Sequence, residues 1–138
     1  MEAVAAMPGD RAIKVENIQK ALVLIEPDVS VRDALTVLLE GEGWQVVSLL
    51  HCHELPGALE NNAVMAIISE SSLPNGTPQE IFEQCSRKGL PVIFTGHDLP
   101  LQGAVDLIRQ GAMDFLDKPF PQSRLLDLLE RLDNRQAD

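Results

Sequence analysis

The residues of this chain that could do chemistry follow short apolar runs, where a buried strand would meet a turn. Glu26 and Asp28 follow the first such run, Glu70 the third, Thr95 the fourth and Lys118 the fifth. In α/β proteins the turn after a buried parallel strand is where the ligand site lies, so these side chains are the candidates for chemistry. Three interpretations are open for Glu70: an active-site residue, a replacement for one, or an ordinary loop charge.

The elements that must position these residues are predicted from hydrophobic patterning. Five short apolar runs predict strands, and several lack the alternation of a strand with one exposed face, so we expect them to be buried on both faces. The runs are ALVLI (21–25), WQVVSLL (44–50), AVMAII (63–68), PVIF (91–94) and MDFL (113–116).

Apolar residues at helical spacing follow each run and predict five helices. Alternating strands and helices with short loops predict an α/β fold, a doubly wound parallel sheet whose ligand site lies beyond the carboxyl ends of its strands. The predicted helix faces are Val31, Ala34, Leu35 and Leu38; Leu55, Ala58 and Leu59; Ile81, Phe82 and Cys85; Leu101, Ala104, Val105 and Ile108; and Leu125, Leu128, Leu129 and Leu132.

Composition limits the function. The chain has 138 residues, enough for one domain, and we expect an N-terminal extension over residues 1–19 followed by one domain over residues 20–138. A net charge of −10 argues against direct binding of nucleic acid or of an anionic membrane. Two cysteines make no disulfide framework, and no secretory signal or membrane span is recognisable, so a cytoplasmic protein is expected.

Four segments carry a resemblance to a known family. ALVLIEPDVSVR, IISESSLPNG, VIFTGH and GAMDFLDKPF resemble, in order and spacing, the receiver domain of two-component response regulators over about residues 20–135. The last two segments look most like the receivers of nitrogen-fixation-type DNA-binding regulators. The resemblance implies a flavodoxin-like receiver fold with strand order 2-1-3-4-5 and five helices. It also implies a role in signal transduction, phosphorelay or transcription regulation, without enzymatic activity.

In that family a histidine kinase passes a phosphoryl group to an aspartate after the third strand, and acidic residues after the first strand hold Mg²⁺. The resemblance places Lys118 at the phosphoryl-contact lysine, Thr95 at the switch hydroxyl and Phe115 at the aromatic switch position. It also implies a cis peptide bond between Lys118 and Pro119. Glu26 stands at the first acidic position and keeps a carboxylate there.

Two departures fall at the chemical centre of the family's site. Pro27 stands where the family has an aspartate that contacts the metal, and Glu70 stands at the phosphoacceptor position. Asp28, which with Glu26 forms the expected acidic pocket, could compensate for the lost ligand but stands one residue later. We therefore expect a pseudo-receiver with a degenerate phosphorylation site, weak or absent Mg²⁺ binding and no cofactor. The hypothesis for Glu70 is an ion pair with Lys118 that fixes one signalling state without phosphate.

The expected partner surface is the face formed by the fourth helix, fifth strand and fifth helix, with Ile108, Phe115 and Leu126 as its candidate residues. A protein partner or a second copy of the chain would bind there. A histidine kinase, or a C-terminal DNA-binding domain outside this chain, is also a possible partner.

Two alternative functions stay open. One is a phosphorylatable, Mg²⁺-dependent receiver that uses Glu26, Asp28 and an unusual acceptor. The other is a small flavin-type α/β protein, although no glycine-rich phosphate loop follows the first strand. His51 and His53 could share a face and bind a metal, and His97 could act as a general base, but neither has further partners at motif spacing.

Overall fold

A computed structural model describes residues 20–61, 63–97 and 100–137 of the chain. The expected extension over residues 1–19 lies outside the described residues, so that domain boundary stays a prediction. The strands form one sheet in the order β2-β1-β3-β4-β5, and every neighbouring pair is parallel, which confirms the predicted fold and strand order. The strands are β1 (Lys20–Ile25), β2 (Trp44–Leu49), β3 (Val64–Glu70), β4 (Val92–Gly96) and β5 (Asp114–Asp117).

Five helices cover the two faces of this sheet. The first and last pack against one face, and the three middle helices pack against the other. A short 3₁₀ turn over Cys52–Glu54 precedes the second helix. The helices are α1 (Val29–Gly41), α2 (Leu55–Asn61), α3 (Pro78–Ser86), α4 (Leu101–Gln110) and α5 (Gln122–Ala137). None of these described helices combines the length and apolar character that crossing a membrane requires.

The central strand β1 explains why the apolar runs lack alternation. Leu22 and Leu24 belong to the core under α1 and α5, whereas Val23 and Ile25 belong to the core under the three middle helices. All four side chains are at most 1% exposed. Because successive side chains point to opposite faces, a strand covered on both sides needs an apolar residue at every position.

The helix starts follow from local capping chemistry. The Thr77 hydroxyl accepts a hydrogen bond from the Glu80 backbone N–H, and the Glu80 carboxylate accepts one from the Thr77 backbone N–H, while Pro78 opens the helix. A Thr-Pro pair is also the sequence pattern that predicts a helix start, and the capping box confirms that prediction for α3. At α1 the cap is one-sided, because Asp28 Oδ1 accepts a 3.1 Å bond from the Val31 N–H, whereas the Asp28 N–H donates to Glu26 outside the helix.

Two predicted helix faces were partly wrong. In α1 the buried residues are Leu35 and Leu39, and Ala34 is exposed. In α4 only Leu107 is buried, whereas Leu101 and Ile108 are 81% and 46% exposed. Spacing identifies an apolar stripe on a helix, but it does not say whether the sheet or another molecule covers that stripe. The faces of α2 and α5 were predicted correctly, since all their predicted residues are buried.

Candidate functional site

The parallel sheet brings the predicted site residues to one edge. Glu26 directly follows β1, Glu70 is the last residue of β3, and Lys118 directly follows β5. Thr95 lies in β4 as the register partner of Glu70. Because parallel strands all end at the same edge, four sequence-distant residues converge there. Glu70 is 7% exposed and belongs to the sheet, so it is not an ordinary loop charge.

Lys118 stands between two buried carboxylates. Its Nζ lies 2.6 Å from Glu26 Oε1 and 2.6 Å from Glu70 Oε1. The three side chains are between 2% and 9% exposed, so water screens these ion pairs little. Charge-assisted hydrogen bonds of this length are among the strong ones in proteins. We call these three residues the Lys118 cluster.

Backbone N–H groups satisfy the second oxygen of each carboxylate. The Asp28 N–H donates to Glu26 Oε2 at 3.1 Å, and the Ser72 N–H donates to Glu70 Oε2 at 3.0 Å. Each carboxylate therefore has a cation on one oxygen and a peptide donor on the other. Sequence reasoning missed the Ser72 contact, because a backbone donor carries no residue signature.

Arg32 is a further residue that sequence reasoning missed. Its Nη1 donates to the Glu26 backbone carbonyl oxygen at 2.8 Å, which ties the first turn of α1 to the end of β1. An arginine six residues after the acidic position is the only sequence signal for this contact. Arg32 thus bonds the backbone of Glu26, while the Glu26 carboxylate bonds Lys118.

The ammonium of Lys118 keeps its proton in this environment. Burial lowers the pKa of Lys118, but the hydrogen bonds and negative charges of Glu26 and Glu70 outweigh it and hold that pKa above the ordinary value. The cluster thus carries two carboxylates and one firmly protonated amine. The amine supplies the positive charge at the point where the two carboxylates meet.

The donors at this edge do not fit the Mg²⁺ that the receiver fold implies. Pro27 has no side-chain ligand, and Asp28 uses Oδ1 to cap α1. The Lys118 ammonium already bonds one oxygen of each of the two remaining carboxylates at 2.6 Å. Among the described residues, no group of three or more His, Cys, Asp or Glu side chains is placed to hold a metal ion. A cleft of about 320 Å³ opens over the cluster between Asp28 and His97.

The switch candidates Thr95 and Phe115 lie beside the cluster on β4 and β5. Thr95 is 1% exposed, and its carbonyl oxygen accepts the Ser71 N–H at 2.8 Å. Phe115 is half-buried and packs into the core under the middle helices. At Gly96, next to Thr95, an added Cβ would lie 2.6 Å from the Ser71 hydroxyl, so a larger residue there would force the Ser71 side chain to move. The Lys118–Pro119 bond is cis, as the resemblance implied.

The three histidines considered from the sequence lie in different surroundings. The rings of His51 and His53 stack with centroids 5.3 Å apart, and His51 Nδ1 lies 2.9 Å from the Asn75 amide nitrogen. This bond links the loop after β2 to the loop after β3. His97 is exposed and lines the cleft over the cluster.

The three candidate interface residues do not share one surface. Ile108 is exposed on α4, and Phe115 is half-buried on β5, next to it in the fold. Leu126 instead lines a cleft with Trp44 and Lys20, at the opposite edge of the sheet from β5. Including Leu126 in the α4–β5–α5 face was therefore wrong. Leu126 is not in line with the buried leucines of α5, because it lies on the side of α5 that faces α1.

A sheet of order 2-1-3-4-5 with acidic residues, a hydroxyl and a lysine at its carboxyl edge defines a receiver-type domain. The family model "Response regulator receiver domain" matches residues 22–130. The chain belongs to this family.

Individual relatives agree with this assignment. The chain is 37% identical over 119 residues to the C4-dicarboxylate transport transcriptional regulatory protein DctD of Pseudomonas aeruginosa, covering 83% of this chain and 25% of that protein. It is 31% identical over 113 residues to the transcriptional regulatory protein FixJ of Bradyrhizobium diazoefficiens, covering 79% and 54%. The crystal structure of full-length FixJ from B. japonicum matches with a TM-score of 0.75 and 26% identity, covering 86% and 59%. The chain thus spans a quarter to about half of these regulators.

Proposed function

We propose that this receiver is a pseudo-receiver, which signals through protein contacts without being phosphorylated. The observation that carries the proposal is the position of Lys118 Nζ, 2.6 Å from both Glu26 and Glu70. The ammonium supplies, from within the chain, positive charge that would otherwise come from a metal ion. The carboxylates of the site are then paired without a metal ion or a phosphoryl group.

Glu70 is a poor phosphoryl acceptor in this arrangement. One of its oxygens bonds Lys118 and the other accepts the Ser72 N–H, and these bonds hold the carboxylate in place and lower the nucleophilicity of both oxygens. Its side chain is one methylene longer than aspartate, which displaces the carboxylate toward Lys118. With Pro27 in the ligand position, the cation that would neutralise the transferred charge has lost a contact. We assign the domain no enzymatic step.

The cluster fixes one arrangement of the signalling surface. The cluster joins the ends of β1, β3 and β5. A substitution at any of its three residues would therefore shift the position of β5 and of the adjoining α4. On α4, Leu101 and Ile108 are seven residues apart on one side of the helix and are both exposed. Half-buried Val105 lies between them. This stripe is the surface for a protein partner or a second copy on the α4–β5–α5 face.

The relatives suggest the setting. DctD and FixJ are transcriptional regulatory proteins, and this chain corresponds to part of each. We infer a role in transcription regulation, in which the domain acts on a DNA-binding domain outside this chain or on a histidine kinase. Direct contact with nucleic acid is not expected from a chain of net charge −10.

A phosphorylation assay tests the proposal. The protein is incubated with Mg²⁺ and acetyl phosphate and its intact mass is measured. Wild type is expected to stay unmodified, because Pro27 offers no metal ligand and the longer Glu70 side chain places its carboxylate on Lys118. The matched control is the double variant Pro27→Asp/Glu70→Asp, which restores the family's residues and should gain one phosphoryl group. A phosphoryl adduct on wild type that maps to Glu70, or to another carboxylate at this edge, would contradict the proposal.

The signalling role of the cluster has its own test. Glu70→Gln keeps the length of the side chain but removes its charge, so the pull on Lys118 is lost. Leu101→Glu or Ile108→Glu on α4 should abolish self-association or partner binding through that helix. We expect Glu70→Gln to change the strength of the same interaction. Val37→Glu on α1, at a residue 72% exposed, is the matched surface control. Identical sedimentation and partner binding of wild type, Glu70→Gln and Glu70→Ala would count against a role in signalling.

A further inference from the structure

The turn after β3 carries the one asparagine of this chain that precedes a glycine. The chain has five asparagines, and the other four precede isoleucine, asparagine, alanine and arginine. Asn75 is exposed and lies in a tight turn in which Leu73 and Gly76 face each other. Asparagine is a chemically labile residue, because the next backbone nitrogen can attack its side-chain amide carbon. Glycine at the next position leaves that nitrogen unshielded by a side chain.

His51 lies beside the group that would leave in such an attack. Its Nδ1 is 2.9 Å from the Asn75 amide nitrogen. An amide nitrogen leaves as ammonia only after it gains a proton, and an imidazole within hydrogen-bond distance can deliver that proton. The stacked ring of His53 and the Glu54 carboxylate, which accepts the His51 N–H at 3.0 Å, hold His51 in this position. The leaving nitrogen therefore has a general acid next to it.

Cys52 lies where it can stabilise the attacking nitrogen. Its buried Sγ donates a hydrogen bond to the Asn75 carbonyl oxygen at 3.3 Å. When the Gly76 nitrogen loses its proton, the negative charge is shared with this oxygen across the peptide bond. A fixed donor at that oxygen stabilises the charge as it develops. Burial raises the pKa of Cys52, so the thiol keeps the proton that it donates.

We propose that Asn75 is a site of spontaneous deamidation that the folded domain promotes. The Gly76 nitrogen gives its proton to water and attacks Asn75 Cγ, so that an N–Cγ bond forms. The Cγ–Nδ2 bond then breaks, and the nitrogen takes a proton from His51 and leaves as ammonia. Water adds to either carbonyl carbon of the resulting succinimide and opens it to aspartate or isoaspartate. The reaction consumes one water molecule and releases one ammonia, and His51 regains its proton from solvent.

The product would change the charge of the loop that leads from the Lys118 cluster. A carboxylate would replace the amide beside His51, and the isoaspartate form would also lengthen the main chain by one carbon atom. Ser72 lies three residues before Asn75 in the same loop, and its N–H donates to Glu70 at 3.0 Å. A shift of the turn would therefore reach the carboxylate that bonds Lys118.

The test follows deamidation of the full chain near neutral pH at physiological temperature. Proteolytic peptides are sampled at intervals, and mass spectrometry measures the conversion of amide to acid at each asparagine. We expect Asn75 to convert at least about tenfold faster than Asn134, which is exposed but precedes arginine. The same measurement in urea gives the rate without the fold. We expect the native rate at Asn75 to exceed the rate in urea.

Matched variants separate the contribution of each neighbour. His51→Ala should slow native conversion at least about fivefold and leave the rate in urea unchanged, because it removes the general acid only in the folded chain. His53→Ala is the control, since that exposed ring contacts His51 rather than the amide, and the rate should stay within about twofold. Cys52→Ala should slow conversion, whereas Cys52→Ser keeps a donor and should restore it. Asn75→Gln should abolish the modification at this position.

Two results would overturn the proposal. A native rate at Asn75 about tenfold below the rate in urea would show that the fold protects the amide. A native rate that His51→Ala leaves unchanged would show that the imidazole has no part in the reaction. The link to the cluster has its own readout in Asn75→Asp, which reproduces the aspartate product and should shift the ¹H–¹⁵N signal of Ser72. An unmoved Ser72 signal would refute that link.

Discussion

Replacing Lys118 with methionine would leave the carboxylates of Glu26 and Glu70 buried together without a cation. Methionine nearly preserves the volume of the lysine stem, so the perturbation is mainly electrostatic. Each carboxylate would lose a 2.6 Å charge-assisted bond while staying at most 9% exposed. The backbone donors of Asp28 and Ser72 would remain, but each satisfies only one oxygen.

The expected cost is large. Removing one partner of a buried ion pair costs about 3–5 kcal/mol, because the remaining charge is desolvated without compensation. Because Lys118 pairs with two buried carboxylates, we expect a cost in the upper part of this range of about 3–5 kcal/mol. For a domain of about 120 residues, an unfolding entropy of about 2.1 cal/mol/K per residue converts this cost into a fall in Tm of roughly 12–20 °C.

The assay is urea and thermal unfolding near pH 7, followed by circular dichroism. Lys20→Met is the matched control, because it removes the partly exposed Lys20–Asp133 pair and should cost at most about 1 kcal/mol. The triple variant Glu26→Gln/Glu70→Gln/Lys118→Met removes all three charges and should recover most of the loss. A Lys118→Met variant within about 1 kcal/mol of wild type would refute the reasoning, because the cluster would then not be a buried, coupled unit.

Three further predictions concern other groups. The pKa of Lys118 lies above its ordinary value of 10.5, so the stabilisation that the ammonium provides is complete below pH 10.5 and is lost as the pH rises through the folded-state pKa. The difference in free energy of urea unfolding between wild type and Lys118→Met should therefore narrow only above pH 10.5. Burial raises the pKa of Cys85 to about 12 and also raises the pKa of Cys52. Both thiols should therefore resist iodoacetamide in the native protein and react with it in urea. Mass spectrometry measures the number of alkylated cysteines in each case. Gly76→Ala should destabilise the protein by about 1–3 kcal/mol, because the added Cβ would lie 2.0 Å from Cys52 Sγ. Gly41→Ala, at the end of α1, meets nothing within 4 Å and should be neutral or stabilise the protein by up to about 1 kcal/mol. Urea unfolding of both variants measures the difference.

The fold was predictable because its signals are local. The run at 21–25 predicts a strand buried on both faces, and β1 indeed contributes to both cores. Thr77 and Pro78 predict the start of α3, since capping depends on neighbouring residues alone. The spacing of strand ends and loops carried the resemblance to the receiver family, to which the chain belongs.

The sequence predicted which charged residues lie together at the site, but not all the hydrogen bonds that they make. Strand-end positions bring Glu26, Glu70 and Lys118 to one edge, and an ion pair of Glu70 with Lys118 followed from their charges. That Lys118 also bonds Glu26, and that Ser72 satisfies Glu70, depends on rotamers and backbone directions that no residue pattern specifies. Ile108 was expected at a partner surface, but the exposure of Leu101 escaped prediction, since an apolar stripe on a helix does not identify what covers it.

The central claim is that Lys118 supplies the cation of this site, and the ¹H–¹⁵N signal of its ammonium reports on that claim directly. A salt-bridged, buried ammonium exchanges slowly enough with water to be observed. With Mg²⁺ and beryllofluoride added at millimolar concentrations, we predict that this signal stays in place in wild type and shifts in Pro27→Asp/Glu70→Asp. A saturable shift of the Lys118 signal in wild type would show that a metal and a phosphoryl analogue displace the cluster, and would contradict the account.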